Sequence, residues 1–197
     1  MEENQAQALL DFLDASPSCY HAVEQIRIML EGAGFRRLQE HQPWMLTPGQ
    51  GYFVIRGDSS LAAFRVPEGA WHGFLMAAGH TDSPTFKIRE EAEVPSAGGT
   101  LRLSVEPYGG GIFRAWLDRP LSVAGRVLVR TAEGLAVRLV DVDRDLLVIP
   151  SVAIHMDRSV NKGTNLDPAS DLLPLFGTGE KGAFRRLIAG EAGVPEE

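Results

Sequence analysis

Phe74, Leu75, Met76, Ala77 and Ala78 make a short apolar run bounded by Gly73 and Gly79, and His80-Thr81-Asp82-Ser83-Pro84 follows at once. Nothing else in the chain limits its fold as strongly. An apolar run this short between two glycines fits a buried strand better than a helix. In an open α/β sheet, ligands gather at the carboxyl ends of strands, which is where His80 falls. Side chains two apart on an extended backbone lie on the same side. His80 and Asp82 can therefore act together, the imidazole binding a metal while the carboxylate holds its orientation, directly or through neighbouring groups. The triplet also reads as a polar loop after a strand, with His80 hydrogen-bonded and Asp82 capping a turn.

The residues before this run predict two helices and a hairpin. Leu9, Leu10, Phe12 and Leu13 recur at helical spacing and stop at Ser16-Pro17, where proline interrupts the helix. Ser18 is placed to cap a second helix carrying Val23, Ile26, Met29 and Leu30 on its buried side, ended by Gly32 and Gly34. His21, in its first turn, reads as a surface or helix-packing residue. Strands are expected over Tyr52–Arg56 and Leu61–Val66, joined by the turn residues Gly57-Asp58-Ser59-Ser60. Two helices followed by strands that end at a ligand position make an α/β catalytic half.

The pattern changes after about Glu90. The stretch 91–99 holds Pro95, Gly98 and Gly99 and reads as a boundary or long loop. Strands are expected at Leu101–Val105, Val123–Arg130, Leu135–Val140 and Leu146–Ile149, with no helix between them and a turn at Thr131–Gly134. Residues 168–197 are polar and glycine-rich, with one short helix expected at Ala183–Ile188. A β run after an α/β run argues for two units. The expected division is residues 1–90, an α/β portion, and 91–197, a β-rich portion, α+β in sum.

Composition removes several function classes. With 44% hydrophobic and 23% charged residues, the 197-residue chain is ordinary globular material. Its net charge of −7 comes without a basic stripe or aromatic–basic interleaving, so no nucleic-acid partner is expected. No apolar run approaches the roughly 20 residues that cross a bilayer, and the acidic start Met1-Glu2-Glu3-Asn4 is unlike a secretory signal. The expected location is the cytoplasm, with no membrane partner. Cys19 is the only cysteine, which rules out an internal disulfide and a cysteine-built zinc site.

Six ordered blocks carry a further signal. They are Leu10-Asp11-Phe12-Leu13-Asp14-Ala15-Ser16-Pro17-Ser18, Gly34-Phe35-Arg36-Arg37-Leu38, the block from Ala78 to Pro84, Val105-Glu106-Pro107-Tyr108-Gly109-Gly110-Gly111, the block from Trp116 to Val127, and Ile149-Pro150-Ser151-Val152-Ala153-Ile154-His155-Met156-Asp157-Arg158. In this order they make Met1 to about Ser170 resemble the aspartyl-aminopeptidase family of dinuclear zinc aminopeptidases. The resemblance implies a catalytic α/β domain interrupted by a β-rich insertion that dimerises, with dimers assembling into large closed particles. It implies that the insertion begins near Glu91 and that the chain ends inside it, short of the rest of the catalytic sheet.

The implied activity is removal of N-terminal residues from peptides, by two zinc ions ~4 Å apart and a bridging water. By resemblance His80 is the first histidine ligand and Asp82 the catalytic aspartate that tunes it. His155 is either a metal ligand or a substrate-binding group reaching the neighbouring subunit's active site; its place on the insertion favours the second. The family's bridging Asp, its Glu-Glu pair of base and ligand, a further acidic ligand and a late His have no matching motif here. One zinc or none is therefore expected in this chain, which is expected to be inactive alone. The alternatives are a non-catalytic assembly or binding module, and one half of a split enzyme completed by a separately encoded C-terminal half. A homo-oligomer through the insertion and a peptide substrate are the expected partners.

Other candidates are set aside on chemical grounds. Glu90-Glu91 reads as a solvated strand end and Glu196-Glu197 as a disordered acidic tail. Asp141, Asp143 and Asp145 alternate like a calcium loop but lack its Gly and distal Glu, which leaves a turn. Tyr108-Gly109-Gly110-Gly111 lacks the Lys-Ser/Thr of a phosphate loop and reads as a backbone turn. His41 and His72 read as surface residues. Leu117 and Pro120 depart from the family's usual Phe and Asp, and Pro120 removes a backbone donor, so strand pairing is expected to shift there.

Overall fold

The computed structural model describes residues 2–163 and 165–196, which divide into two compact units, Met1–Ser83 and Pro84–Glu197. Glu197, one of the two acidic tail residues, and Met1, from the acidic start, lie outside the described residues. No helix among those described is long and apolar enough to cross a membrane.

The first unit opens with α1 (Glu2–Asp14) and α2 (Cys19–Gly32). Ser18 caps α2 as expected: its backbone is extended, and its hydroxyl accepts from the His21 N–H at 3.4 Å and meets His21 Nδ1 at 2.8 Å. Arg27 ties the exposed side of α2 together through Glu24 and Glu31. The Arg27 hydrogen bond and charge hold the Glu24 carboxyl below its ordinary range against a smaller opposing effect of burial. The buried face of α2 is narrower than its periodicity predicts. Ala22 and Val23 are buried, whereas Met29 is 63% exposed. Ile26 and Leu30 are half-buried, so the stripe is covered only in part.

Three strands follow: β1 (Arg36–Arg37), β2 (Gly51–Arg56) and β3 (Ser60–Arg65). β1 runs parallel to β2, and β2 pairs antiparallel with β3. The hairpin turns through Gly57 and Asp58, both left-handed with φ of 60° and 58°, which glycine and aspartate tolerate best. Gly51 is required for a different reason. The Phe35 ring lies against it so closely that a Cβ would meet ring carbons at 2.6 Å. Tyr52, Phe53 and Val54 are the buried hydrophobic side chains of β2, and with Ala22 and Val23 they make up the buried hydrophobic set among the described residues of this unit.

The run Phe74–Ala78 corrects the sequence expectation. It forms neither strand nor helix, and Phe74, Leu75 and Met76 are 78%, 104% and 85% exposed. A strand is held by its neighbours, since its N–H and C=O groups need partners across a ladder. Among the described residues, none forms a hydrogen bond with Gly73–Gly79. The Trp71 ring lies edge-on to Phe74 at 4.8 Å.

The second unit contains β4 (Thr85–Ser96), β5 (Thr100–Tyr108), β6 (Ala124–Thr131), β7 (Gly134–Asp141), β8 (Leu175–Thr178) and α3 (Ala183–Glu191). β4, β5 and β8 form one antiparallel sheet, and β6 and β7 a separate hairpin. The stretch 91–99, expected as a boundary or loop, is instead the second half of β4 and the 3-10 turn into β5. Pro95 fits because β4 is an edge strand, where a missing N–H is tolerated. Glu90 and Glu91 are exposed, but they lie inside β4 where its register with β5 shifts between Ile88 and Glu93.

Leu101, Leu103 and Val105 alternate along the buried face of β5, and Leu103, Val105, Leu147 and Phe184 form the core cluster. α3 brings Phe184 to this cluster, edge-on to Phe176 of β8 at 5.6 Å. The residue preceding α3, Gly182, has no side chain with which to cap it. Glu93 of β4 supplies the cap, its carboxylate accepting from the Gly182 N–H and, at 2.6 Å, from the Phe184 N–H.

Pro120 sits where the expected irregularity occurs. Asp118 N–H donates to the Ile149 carbonyl at 2.9 Å and Leu121 N–H to Leu147 at 2.9 Å, so the ladder steps over the proline. Residues 147–149 make isolated bridges rather than a continuous strand. The Asp118 carboxylate, held below its ordinary range by hydrogen bonds from the Ser151 hydroxyl and N–H, fixes the chain leading towards His155. Asp143 N–H donates to Asp141 Oδ1 at 3.3 Å, and Asp143 is left-handed at φ 44°, so the aspartate series is a turn. Glu196, expected in a disordered tail, lies 3.8 Å from Arg186 Nη1.

Candidate metal half-site

His80 and Asp82 flank Thr81, whose hydroxyl donates to the Ser59 carbonyl at 2.7 Å and so ties this segment to the β2–β3 turn. His80 Nδ1 lies 2.9 Å from Asp82 Oδ1. The two side chains therefore share a side, with the backbone bending at Thr81 between them. With the carboxylate accepting from Nδ1–H, the neutral ring carries its lone pair on Nε2, and the His80 side chain is 90% exposed. A histidine that binds metal is commonly held in this way, with a carboxylate on its other nitrogen fixing tautomer and ring orientation.

This arrangement fits one arm of a zinc site and falls short of a whole one. Zinc takes three or four protein donors in catalytic and structural sites. Among the described residues no group of three or more His, Cys, Asp or Glu side chains is placed to hold a metal. The pair has the donor types of a ligand and the carboxylate that would orient it, and no reaction step is assigned to it on its own.

His155 lies in the second unit, in the turn around Ile154–Met156, and is exposed. Two residues on, the Asp157 carboxylate accepts from the Ser159 N–H at 2.8 Å and its hydroxyl at 2.5 Å, which closes the turn that follows. His41 and His72 are exposed. Two features relevant to a site were not read from sequence. The Thr81–Ser59 tie joins residues 22 apart, and threonine within a His-x-Asp triplet gives no sign of it. The exposure of the apolar run is likewise invisible to periodicity.

The profile of the family described as aminopeptidase I zinc metalloprotease (M18) matches residues 12–190. A probable M18 family aminopeptidase 2 of Clostridium acetobutylicum is 42% identical over 197 residues, covering 95% of this chain and 46% of that protein. An aspartyl aminopeptidase of Dictyostelium discoideum is 43% identical over 177 residues, covering 87% of this chain and 36% of that one. Among solved structures, the chain superposes on the cryo-EM structure of the Ape4 and Nbr1 complex with a TM-score of 0.89 at 37% identity, covering 95% of this chain and 39% of that one. The structure of Chaetomium thermophilum mApe1 gives a TM-score of 0.87 at 29% identity, with 99% and 48% covered. The mixed helix-and-sheet fold is thus that of M18 aminopeptidase structures over less than half of their length. The chain spans under half the length of these curated relatives too. On the profile match and the identity to these relatives, this chain belongs to the M18 family of aminopeptidase I zinc metalloproteases.

Proposed function

We propose that the chain contributes one arm of a dinuclear zinc centre to an aminopeptidase that removes N-terminal residues from peptides in the cytoplasm. His80 is the metal ligand and Asp82 holds its ring. The first unit belongs to the catalytic domain, and the second, from the start of β4, to a β-rich insertion that joins copies of the protein. His155 acts from that insertion as a substrate-binding group towards a neighbouring subunit's site, in preference to a role as metal ligand. The bond between His80 Nδ1 and Asp82 Oδ1, on an exposed ring, carries this reading. The remaining ligands and the general base have no matching motif in this chain, which is inactive alone.

Zinc content per chain, measured by mass spectrometry after metal loading and desalting, tests the reading together with peptidase assays. The expected result is near-zero stoichiometry and no turnover for the chain alone. Robust zinc-dependent turnover that is lost in His80→Ala would overturn the inactivity.

A second reading, an assembly module, is favoured by the β6–β7 hairpin. Cross-strand pairing puts Leu128 beside Val137, Arg126 beside Leu139 and Arg130 beside Leu135 on one face. Leu128 and Leu135 there are 64% and 71% exposed, while Val129 and Val140 on the opposite face are buried. Light scattering is expected to show an oligomer that Leu128→Lys with Leu135→Lys converts to monomer. A wild-type chain that stays monomeric at high concentration removes this reading.

A further inference from the structure

Asp118 is exposed, yet its backbone takes a form that few residue types accept. It is left-handed, with φ of 55°, a conformation that Asp and Asn tolerate better than other residues with a side chain. Asp58 and Asp143 share it, but both lie in tight turns. Asp118 instead reaches a residue 33 positions away, its carboxylate accepting from the Ser151 hydroxyl and, at 2.9 Å, from the Ser151 N–H. Its own N–H donates to the Ile149 carbonyl at 2.9 Å, beside the bridge from Leu117 to Ile149. One residue therefore grips the chain on both sides of Pro150, which has no N–H to donate. Unusual backbone that is held by specific bonds collects at functional positions. We infer that Asp118 is a positioning residue for His155, setting where that histidine stands for substrate. This rests on the reading of His155 as a substrate-binding group.

Four residues separate the anchor at Ser151 from His155, a tether that spans at most about 13–14 Å when extended. Beyond Ser151 the chain enters a turn in which the Met156 and Asp157 N–H groups donate to the Ala153 carbonyl, at 2.8 and 3.3 Å. His155 lies inside that turn and is exposed. These bonds join residues of the same segment, so they fix its shape and not its direction. Direction is set where the segment leaves the ladder, at the bonds between Asp118 and Ser151. Those bonds hold the Asp118 carboxyl below its ordinary range, as donors aimed at a carboxylate do. Aspartate meets two demands at once, a left-handed backbone and an acceptor for two donors. Asparagine keeps the backbone with a weaker acceptor, and glycine keeps the backbone alone.

The test reads the full chain by amide exchange and nitrogen relaxation, and an enzyme completed by the unmatched portion of the Clostridium acetobutylicum relative by kinetics. In the chain, Asp118→Gly is expected to speed exchange of the Ser151 amide at least tenfold and to make the His155 amide more mobile. The Leu101–Val105 amides should keep their protection, and Asp118→Asn should fall between Asp118→Gly and the parent. In the completed enzyme, Asp118→Gly and His155→Ala are each expected to raise KM about tenfold, with kcat changed less than twofold. The double variant is expected to match His155→Ala alone, because a residue that acts through another adds nothing once that other is gone. Relaxation of the His155 amide that is the same in Asp118→Gly and the parent overturns the positioning. KM effects that multiply in the double variant overturn it too, since Asp118 then acts by another route. A segment loosened in Asp118→Gly, with KM unmoved by His155→Ala, keeps Asp118 as the anchor and removes the substrate reading of His155.

Discussion

Phe53→Ala is expected to cost about 3–5 kcal/mol and to abolish the cooperative unfolding of Met1–Ser83. The size of the effect follows from how little is buried in this unit. Phe53 is 0% exposed, and its buried apolar companions are Ala22, Val23, Tyr52 and Val54. Small domains hold roughly 0.05–0.15 kcal/mol of stability per residue, so 83 residues with so small a core have little to lose. Limited proteolysis reads the first unit directly, and circular dichroism under denaturant gives the transition. Phe53→Leu, which keeps most of the volume, should retain that transition. A Phe53→Ala protein that is as protease-resistant as the parent would show that the core of this unit lies elsewhere.

The second large effect is on metal. In an enzyme completed by the unmatched portion of a relative, His80→Ala is expected to reduce zinc-dependent hydrolysis to background, since on the proposed reading it removes a ligand. Asp82→Ala is expected to weaken zinc binding by about 10–100-fold, the usual consequence of losing the group that orients a ligating histidine. Asp82→Asn keeps an acceptor for Nδ1–H at 2.9 Å spacing and should fall between the parent and Asp82→Ala. Chelator competition gives the affinities, and nitrogen chemical shifts of the His80 ring report its tautomer. Equal zinc affinity in Asp82→Ala and the parent would mean that the aspartate does not position the ring.

Much of this architecture is legible in local sequence, and its failures have one cause. The α2 cap at Ser18, the Gly57-Asp58 turn and the β6–β7 hairpin depend on residues close in sequence, and each is where the pattern puts it. His80 and Asp82 do meet, but across a bend at Thr81 and not along the extended strand that the alternation assumed. Phe74–Ala78, Met29 and β8 depend on what lies against them. An apolar run states that a strand would be stable once paired; it does not state that a partner is present. β8 lies in a glycine-rich tract with no strand pattern of its own, and it exists because β5 offers it an edge. The break of register at Glu90-Glu91 likewise belongs to the β4–β5 pair and not to either sequence alone.

The cap that Glu93 places on α3 sets an order of events during synthesis. The carboxylate and the amides it holds are 89 and 91 residues apart, so closing that loop is among the slowest contacts this unit makes. β4 and β5 can meet as soon as Tyr108 has emerged, and the hairpin of β6 and β7 soon after. The final helix has neither a capping side chain of its own nor a neighbour in sequence that could stand in for one. It therefore waits for the sheet, and a nascent chain paused before Gly182 holds an assembled β4–β5 pair whose Glu93 still faces water.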